Sequence, residues 1–247
     1  METKELMTTD FDRKLDVLME ENRAGRLERY PWVGARYAGQ APKVLVLGDS
    51  HYATDGNEFS QEALEELLEK DATRAVVDCA ITSDAPWKMF AGLYSLFGKD
   101  SLESRKDFWS KIAFYNFIQR VMRARDERPA YEDFMNAWKC LSGLSDVLLP
   151  DFCLFIGTRS ETGIEGLGEG NYAIRQDDSV YINGFPREGW FLSAGGRRVP
   201  FIAIHHTSMG FSPSHWQAYL EGKIPSVMRQ LRKCPAKIRP QGVKCLI

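Results

Sequence analysis

Short apolar runs that alternate with helical patterns constrain the fold of this 247-residue chain most strongly. Residues 44–47 are apolar throughout, and residues 152–156 and 201–204 are similar. Strands that are apolar on both faces are typical of parallel sheets covered by helices on each side. Since segments with helical spacing of apolar residues separate these runs, we expect an alternating α/β chain.

The coarse element assignment follows from periodicity, caps and breakers. A first helix is predicted to begin after Asp10 and to end before residues 30–32. Further helices are predicted at 60–77, 86–97, 101 or 104 to 109, 131–148, and from 212 onward. Strands are predicted at 44–47, 112–118, 151–157, 190–192 and 201–204, and turns over 158–188. We therefore expect a single-domain three-layer α/β/α sandwich with a central, mainly four-stranded parallel sheet.

Composition places the chain among ordinary soluble globular proteins, with 44% hydrophobic and 27% charged residues. The five cysteines are odd in number and form no CxxC pair, which favours a reduced, cytoplasmic compartment. The first residues show no basic stretch followed by an apolar core, and no apolar run approaches the ~20 residues that span a bilayer. We expect neither a secretory signal nor a membrane association.

The net charge of −2 hides a basic C-terminal region. Residues 222–247 contain seven Lys or Arg and no acidic residue. Such a region can contact phosphates, and a solvated helix with a frayed end explains the same pattern.

All four histidines lie in two segments that each follow a predicted strand. His51 follows the first strand, whereas His205, His206 and His215 follow the last one. The carboxyl ends of parallel strands meet at one edge of a sheet, so we expect both segments to face one crevice. An ordinary turn in which Asp49 and Ser50 cap the backbone explains the first segment equally well.

The order of these segments resembles the uracil-DNA glycosylase superfamily, over roughly residues 40–220. That family has a central four-stranded parallel sheet, a first loop of the type Gly-x-x-Pro-Tyr and a second of the type His-Pro-Ser. Here Gly48-Asp49-Ser50-His51-Tyr52 occupies the first loop, and His206-Thr207-Ser208 matches two letters of the second. Asn116 and the segment 150–157 resemble the family's residues at the ends of its second and third strands.

The resemblance implies hydrolysis of the N-glycosidic bond of a damaged or deaminated base in DNA, by a monomer that needs no cofactor or metal. His206 would donate a hydrogen bond to a carbonyl oxygen of the flipped base, Asn116 would read the base edge, and Tyr52 would wall the pocket. Met209 or Phe211 would replace the extruded nucleotide. The catalytic residues are then predicted to be Asp49, Ser50, His51 and His206, and the binding residues Gly48, Tyr52, Asn116, His205, Thr207, Ser208 and Met209.

The same resemblance suggests a division of the chain: an N-terminal helical extension (1–40), a glycosylase-like α/β domain (41–233) and a basic C-terminal tail (234–247). A DNA repair enzyme of this kind would be cytoplasmic and associated with the nucleoid. Two departures from the family stand out. Ser50 stands where the family has a water-activating Asp, with Asp49 one position early, and His51 and Thr207 replace the prolines of the two loops.

Three alternatives remain open from the sequence. In a serine esterase of the SGNH type, Ser50 would be the nucleophile and His206 or His215 its base. That family expects an Asp three residues before its His, where Ser212 stands, and its Gly-x-Asn-Asp block is missing. A metal site could use Asp49, His51, His205 and His206, although adjacent histidines on a strand point in different directions. The last alternative is a catalytically silent nucleotide-binding protein on the same scaffold.

Overall fold

Nine strands make up the β-structure of the computed structural model, which describes residues 5–20, 25–56, 58–157, 161–182, 184–208 and 210–232. In chain order they are β1 (Trp32–Val33), β2 (Val44–Gly48), β3 (Thr54–Asp55), β4 (Glu58–Phe59), β5 (Ala113–Asn116), β6 (Phe152–Ile156), β7 (Tyr172–Gln176), β8 (Arg187–Leu192) and β9 (Arg198–Ile204). Seven of them form one sheet in the order β1-β5-β2-β6-β9-β8-β7, and β3 pairs with β4 in a separate hairpin.

Eight helices surround these strands in the described part of the chain. They are α1 (Asp12–Glu20), α2 (Gln61–Leu68), α3 (Ala72–Thr82), α4 (Lys88–Phe97), α5 (Leu102–Trp109), α6 (Tyr131–Leu148), α7 (Pro213–Lys223) and α8 (Pro225–Arg232). None of the described helices is both long and apolar enough to cross a membrane.

The four central strands, β5, β2, β6 and β9, run parallel to one another. Strand β1 pairs with β5 antiparallel, and β8 and β7 extend the other edge antiparallel to β9. The predicted α/β class is therefore confirmed. The sheet has seven strands where four were expected, because two antiparallel strands after β6 and a short N-terminal strand join the parallel centre.

Alternate residues of each central strand face two separate cores. Val44 and Val46 of β2 pack in a cluster with side chains from α3, α4, α5, α7 and α8. Leu45 and Leu47 pack in the other cluster, with α6 and Leu15 of α1. All four of these β2 side chains are fully buried. This double burial explains why the strand is apolar throughout.

The helix predicted over 60–77 is wrong as one element, since α2 and α3 are separate. Ser60 does cap α2, because its hydroxyl accepts a hydrogen bond from the Ala63 backbone N–H at 3.1 Å. At the break, tertiary hydrogen bonds use one carbonyl near the end of α2 and one in the connection to α3. The guanidinium of Arg29 donates to the carbonyl of Leu67, and the backbone N–H of Tyr30 donates to that of Lys70. These tertiary bonds replace the bonds that would continue the helix.

Other differences lie at the periphery of the sheet. Strand β7 falls inside the stretch 158–188 that was predicted to form turns, and β8 begins three residues before the predicted short strand. The segment after residue 212 contains two helices, α7 and α8, instead of one. The predicted helix 131–148 and the four predicted central strands are confirmed with small shifts at their ends.

Candidate active site at the strand switch point

The crossover connections define one crevice at the carboxyl edge of the sheet. The chain passes from β2 to β5 on one side of it, and then crosses to β6 on the other side. In open α/β sheets, ligands bind where the direction of strand addition reverses. Asp49 follows β2 and Gly157 follows β6, so both residues lie at this reversal.

The middle strand, β6, separates the two strands from which the predicted loops continue. It ends at Gly157, where a Cβ would meet no heavy atom of the described residues within 4 Å. On one side of this strand the chain continues from β2 into Asp49, and on the other side from β9 into His206. Since β2 and β9 are two strand spacings apart, their ends are separated by about 10 Å.

The electrostatics of His206 link the two loops. Burial lowers the pKa of His206 below its ordinary value, the Asp49 carboxylate opposes this by raising it, and His205 lowers it further. Asp49 and His206 follow the ends of β2 and β9, which flank β6, and their charges interact across the end of this strand. The structure therefore brings together residues separated by more than 150 positions in the chain.

The hydrogen bonds of His206 select one tautomer. The backbone N–H of Ser208 donates to Nδ1 at 3.2 Å, and the Ser208 hydroxyl lies 2.7 Å from the same atom. Nδ1 is therefore an acceptor, and the neutral ring carries its proton on Nε2. A lowered pKa keeps the imidazole neutral at pH 7, so His206 presents one N–H donor without a positive charge.

Helix α4 holds the second loop in place. The hydroxyl of Thr207 donates to the carbonyl of Met89 at 2.7 Å, and Thr207 is buried. A Cβ at Gly92 would lie 2.2 Å from the carbonyl oxygen of Thr207, so the helix can approach this closely only because Gly92 has no side chain. On the other side, a Cβ at Gly184 would lie 3.7 Å from Nδ1 of His205.

The first loop continues the parallel ladder beyond β2 and β5. The backbone N–H groups of Phe117, Ile118 and Met122 donate to the carbonyls of Gly48, Asp49 and His51 at 2.8–3.0 Å. The Ala53 N–H donates back to the Met122 carbonyl, and Tyr52 and Met122 form a bridge. Residues 48–53 are thus fixed along their backbone, and the segment 117–122 is their partner.

His51 and Asn116 form a buried polar contact below this loop. The amide nitrogen of Asn116 lies 3.2 and 3.1 Å from the two ring nitrogens of His51, and the hydroxyl of Thr73 lies 3.3 Å from Nε2. Both His51 and Asn116 are 4% exposed. Desolvation, aided by the charge of Arg29, lowers the pKa of His51 to about 3. The ring is therefore neutral, and its position supports the loop from beneath.

The remaining predicted residues occupy different surroundings. Ser50 Oγ is buried and has no hydrogen-bond partner among the described residues. Tyr52 is half-buried and packs against the core on the α6 side of the sheet. Phe211 stacks on the ring of Trp216, with 6.5 Å between ring centroids. Met209 lies outside the described residues, as does the basic tail 234–247.

The alternative of a metal site finds no support in this arrangement. Among the described residues, no group of three or more His, Cys, Asp or Glu side chains is close enough together to hold a metal ion. His51 is directed to Asn116 and Thr73, on the inside of the first loop.

The sequence interpretation missed a cavity beside the segment 117–122. Its volume is about 500 Å³, and its lining includes Arg29, Arg120 and Arg123. A signal was visible in the sequence, because four arginines occur within residues 120–128. Arg29 carried no signal of its own, since it lies about 90 residues from the segment that it contacts.

No model of a known protein family matches this chain, and no curated protein sequence matches it.

Proposed function

We propose that this protein hydrolyses the N-glycosidic bond of a damaged or deaminated base in DNA, with Asp49 and His206 as its catalytic residues. The observation that carries this proposal is the placement of a carboxylate and an imidazole N–H donor after two strands that flank β6, where their charges interact. The resemblance of the loop order to the uracil-DNA glycosylase superfamily supports the same reaction.

The chemistry of this bond requires two opposite charges to be stabilised. When the bond between C1′ and the base nitrogen breaks, its electron pair leaves with the base and positive charge develops on the sugar. An N–H donor on the base carbonyl stabilises the departing anion, and a carboxylate stabilises the sugar cation. Water then adds to C1′ and gives its proton to the carboxylate. His206 and Asp49 have the properties that these two roles require.

In the family, the residue aligned with Ser50 is an Asp that activates water. Under this proposal Asp49, one position earlier in the chain, takes that role. The buried hydroxyl of Ser50 has no hydrogen-bond partner, and therefore no histidine as a base, among the residues that the structure describes. The same observation weighs against a serine esterase, which needs a hydrogen bond between nucleophile and base. Asn116 then acts as a positioning residue, since its amide contacts His51 beneath the loop.

The proposed DNA contact involves exposed aromatic side chains near the second loop. Trp87 is 58% exposed and directly precedes α4, the helix that bonds Thr207. Tyr181 is 70% exposed and lies in the segment that brings Gly184 to His205. Unpaired bases stack on such rings. We propose a single-stranded DNA partner. We also propose that the parallel strands, with helices on both faces, form the three-layer α/β/α sandwich of this enzyme class.

The test is release of free base from single-stranded oligonucleotides that contain uracil, hypoxanthine or xanthine. His206→Ala should reduce the rate by roughly 10²–10³, the usual effect of removing one preorganised donor. Asp49→Asn should also reduce it strongly, whereas His215→Ala should not, because that exposed histidine bonds only to Ser212 among the described residues. Absence of abasic product from all three substrates, or full activity of both site variants, contradicts the proposal. Hydrolysis of a nitrophenyl ester that depends on Ser50 would favour the esterase instead.

A further inference from the structure

The cavity beside the segment 117–122 is a separate candidate binding site. Its volume of about 500 Å³ is typical of pockets for small organic ligands. Its walls come from residues 25–29, helix α2, residues 119–123 and the first two turns of α6. The segment 117–122 also holds the first loop, so the cavity neighbours the proposed active site but does not include Asp49 or His206.

A buried guanidinium gives this cavity its chemical character. Arg29 is 1% exposed, its Nε donates to the Leu67 carbonyl, and its Nη1 donates to the Gln119 carbonyl at 2.5 Å. Within the described part of the chain, no carboxylate forms an ion pair with Arg29, although the charge of the neighbouring Glu28 favours its charged form, and burial lowers its pKa. Burying a charge without a partner is costly, so an anion in the cavity would stabilise Arg29.

The other ionic groups of the cavity largely neutralise one another. Arg26 pairs with Glu28 at 3.3 Å. Arg120 pairs with Asp133 at 3.0 Å and also with Glu127. Four arginines line the cavity against Glu28, Asp133 and the neighbouring Glu127, so the lining keeps a net positive charge.

Arg123 adds a second positive charge that no described carboxylate pairs with. Its side chain is exposed and lies over the ring of Phe59, with 5.8 Å between the guanidinium carbon and the ring centroid. Arg29 and Arg123 both line the cavity, and neither forms an ion pair with a described carboxylate. Guanidinium groups bind phosphate oxygens in a bidentate manner, more tightly than they bind neutral acceptors.

The rest of the lining suits an organic group. Leu64 and Leu68 of α2, together with Val121 and Ala137, provide an apolar wall. Asn136 lines the same space, and its side-chain amide makes no hydrogen bond to another described residue. An amide that offers both a donor and an acceptor matches the polar edge of a nucleobase. A bare inorganic anion would use neither the wall nor the amide.

We propose that this cavity binds a phosphate monoester of nucleoside size, with the phosphate on Arg29 and Arg123 and the organic group on the apolar wall. A free mononucleotide and the 5′-terminal nucleotide of a DNA strand share this chemistry. The inference is independent of base excision, because none of its residues belongs to the proposed active site.

Calorimetric titration of the full chain with deoxyadenosine monophosphate tests the inference. Deoxyadenosine and inorganic phosphate should each bind at least about tenfold more weakly, since each lacks one half of the recognised ligand. Arg123→Gln should weaken binding of the monophosphate by about tenfold or more, as expected for one lost charge-assisted hydrogen bond. Arg128→Gln removes the same charge from the same segment outside the cavity and should change nothing.

Arg29→Gln should abolish binding, and its circular dichroism spectrum will show whether the fold survives; Arg123→Gln carries the test if it does not. No heat of binding with the monophosphate, or equal binding by wild type and Arg123→Gln, overturns the inference. Competition by a 5′-phosphorylated oligonucleotide, but not by its unphosphorylated counterpart, would identify a strand end as the source of the ligand. Competition by neither would identify a free nucleotide.

Discussion

Gly48 and Asn116 are paired across the parallel ladder of β2 and β5, and a Cβ on Gly48 would lie 2.2 Å from Oδ1 of Asn116. The space above Gly48 is therefore filled by the amide that supports His51. This relationship joins the end of the first central strand to the polar contact beneath the candidate active site, and it makes the glycine a structural requirement.

Gly48→Ala should destabilise the protein by about 1–3 kcal/mol, because the new methyl group overpacks a filled site. Urea unfolding measures the effect. Gly222→Ala in α7 is the matched control: a Cβ there meets nothing within 4 Å, so alanine should stabilise the helix by up to about 1 kcal/mol. Equal stability of Gly48→Ala and wild type would mean that Asn116 does not occupy this space.

The buried His51 predicts a pH dependence of stability. Its pKa is about 3 in the folded protein, well below the ordinary value of 6.5, so the unfolded chain binds the proton more readily. Stability contributed by the neutral ring is complete above pH 6.5 and falls as the pH decreases toward 3, with a limiting slope of ~1.4 kcal/mol per pH unit. Wild type should therefore lose more stability than His51→Gln between pH 6.5 and 4. Parallel losses in the two proteins would exclude this role for His51.

Asp49 should control the pKa of His206. Since the carboxylate favours the imidazolium, Asp49→Asn should lower the pKa of His206 below its wild-type value. An NMR titration of the histidine Cε1–H signals reports this directly and does not depend on activity. Asp55→Asn, an exposed change on the same segment, should leave the pKa unchanged. An unaltered His206 titration in Asp49→Asn would separate the two loops and remove the basis of the proposed mechanism.

Ser50→Ala separates the two enzymatic alternatives. The Ser50 hydroxyl is buried and has no hydrogen-bond partner in the described part of the chain, and such a group costs roughly 1–3 kcal/mol. We therefore expect the variant to be as stable as wild type or more stable, and to retain base release. Thr207→Val offers the opposite case, because it breaks a hydrogen bond to the Met89 carbonyl and should destabilise the protein. Loss of all activity in a folded Ser50→Ala protein would instead indicate a nucleophilic serine.

The exposed rings of Trp87 and Tyr181 should contribute to binding of single-stranded DNA. Replacing either with Ala should weaken binding by about 1–3 kcal/mol, the usual effect of losing one base-stacking contact. Fluorescence anisotropy with a labelled oligonucleotide measures the affinity. Tyr131→Ala is a suitable control, because this tyrosine is 52% exposed at the start of α6 and bonds to Glu165. Unchanged affinity in both variants would show that neither ring contacts the DNA.

The sequence was sufficient for the parts of the fold that depend on local patterns. The buried strands around Val46 and Leu154 could be predicted because burial on both faces leaves a continuous apolar run. The break between α2 and α3 could not, since it depends on Arg29 reaching a carbonyl 38 residues away. Strand β7 escaped prediction for a similar reason. All five of its residues are at least partly exposed, and it is held by pairing with β8.

The candidate site shows the same division. Residue types at strand ends indicated where Asp49 and His206 lie, because topology alone brings the ends of parallel strands together. The residue pattern could not show which of Asp49 and Ser50, or which of His206 and His51, has the catalytic role. That distinction depends on which side chain is buried, and the contacts of Thr73 and Asn116 with His51 come from remote elements.

The ladder between residues 48–53 and 117–122 has a mechanical consequence. Gln119, Arg120 and Val121 of this ladder line the arginine cavity, Asp49 lies on its other strand, and backbone hydrogen bonds join the two strands at four places. A ligand in the cavity therefore contacts a wall whose backbone is held by this ladder. Adaptation to ligands of different size has to come from the other walls of the cavity. A change in ligand specificity at this wall would thus require substitution of its side chains, with an unchanged backbone.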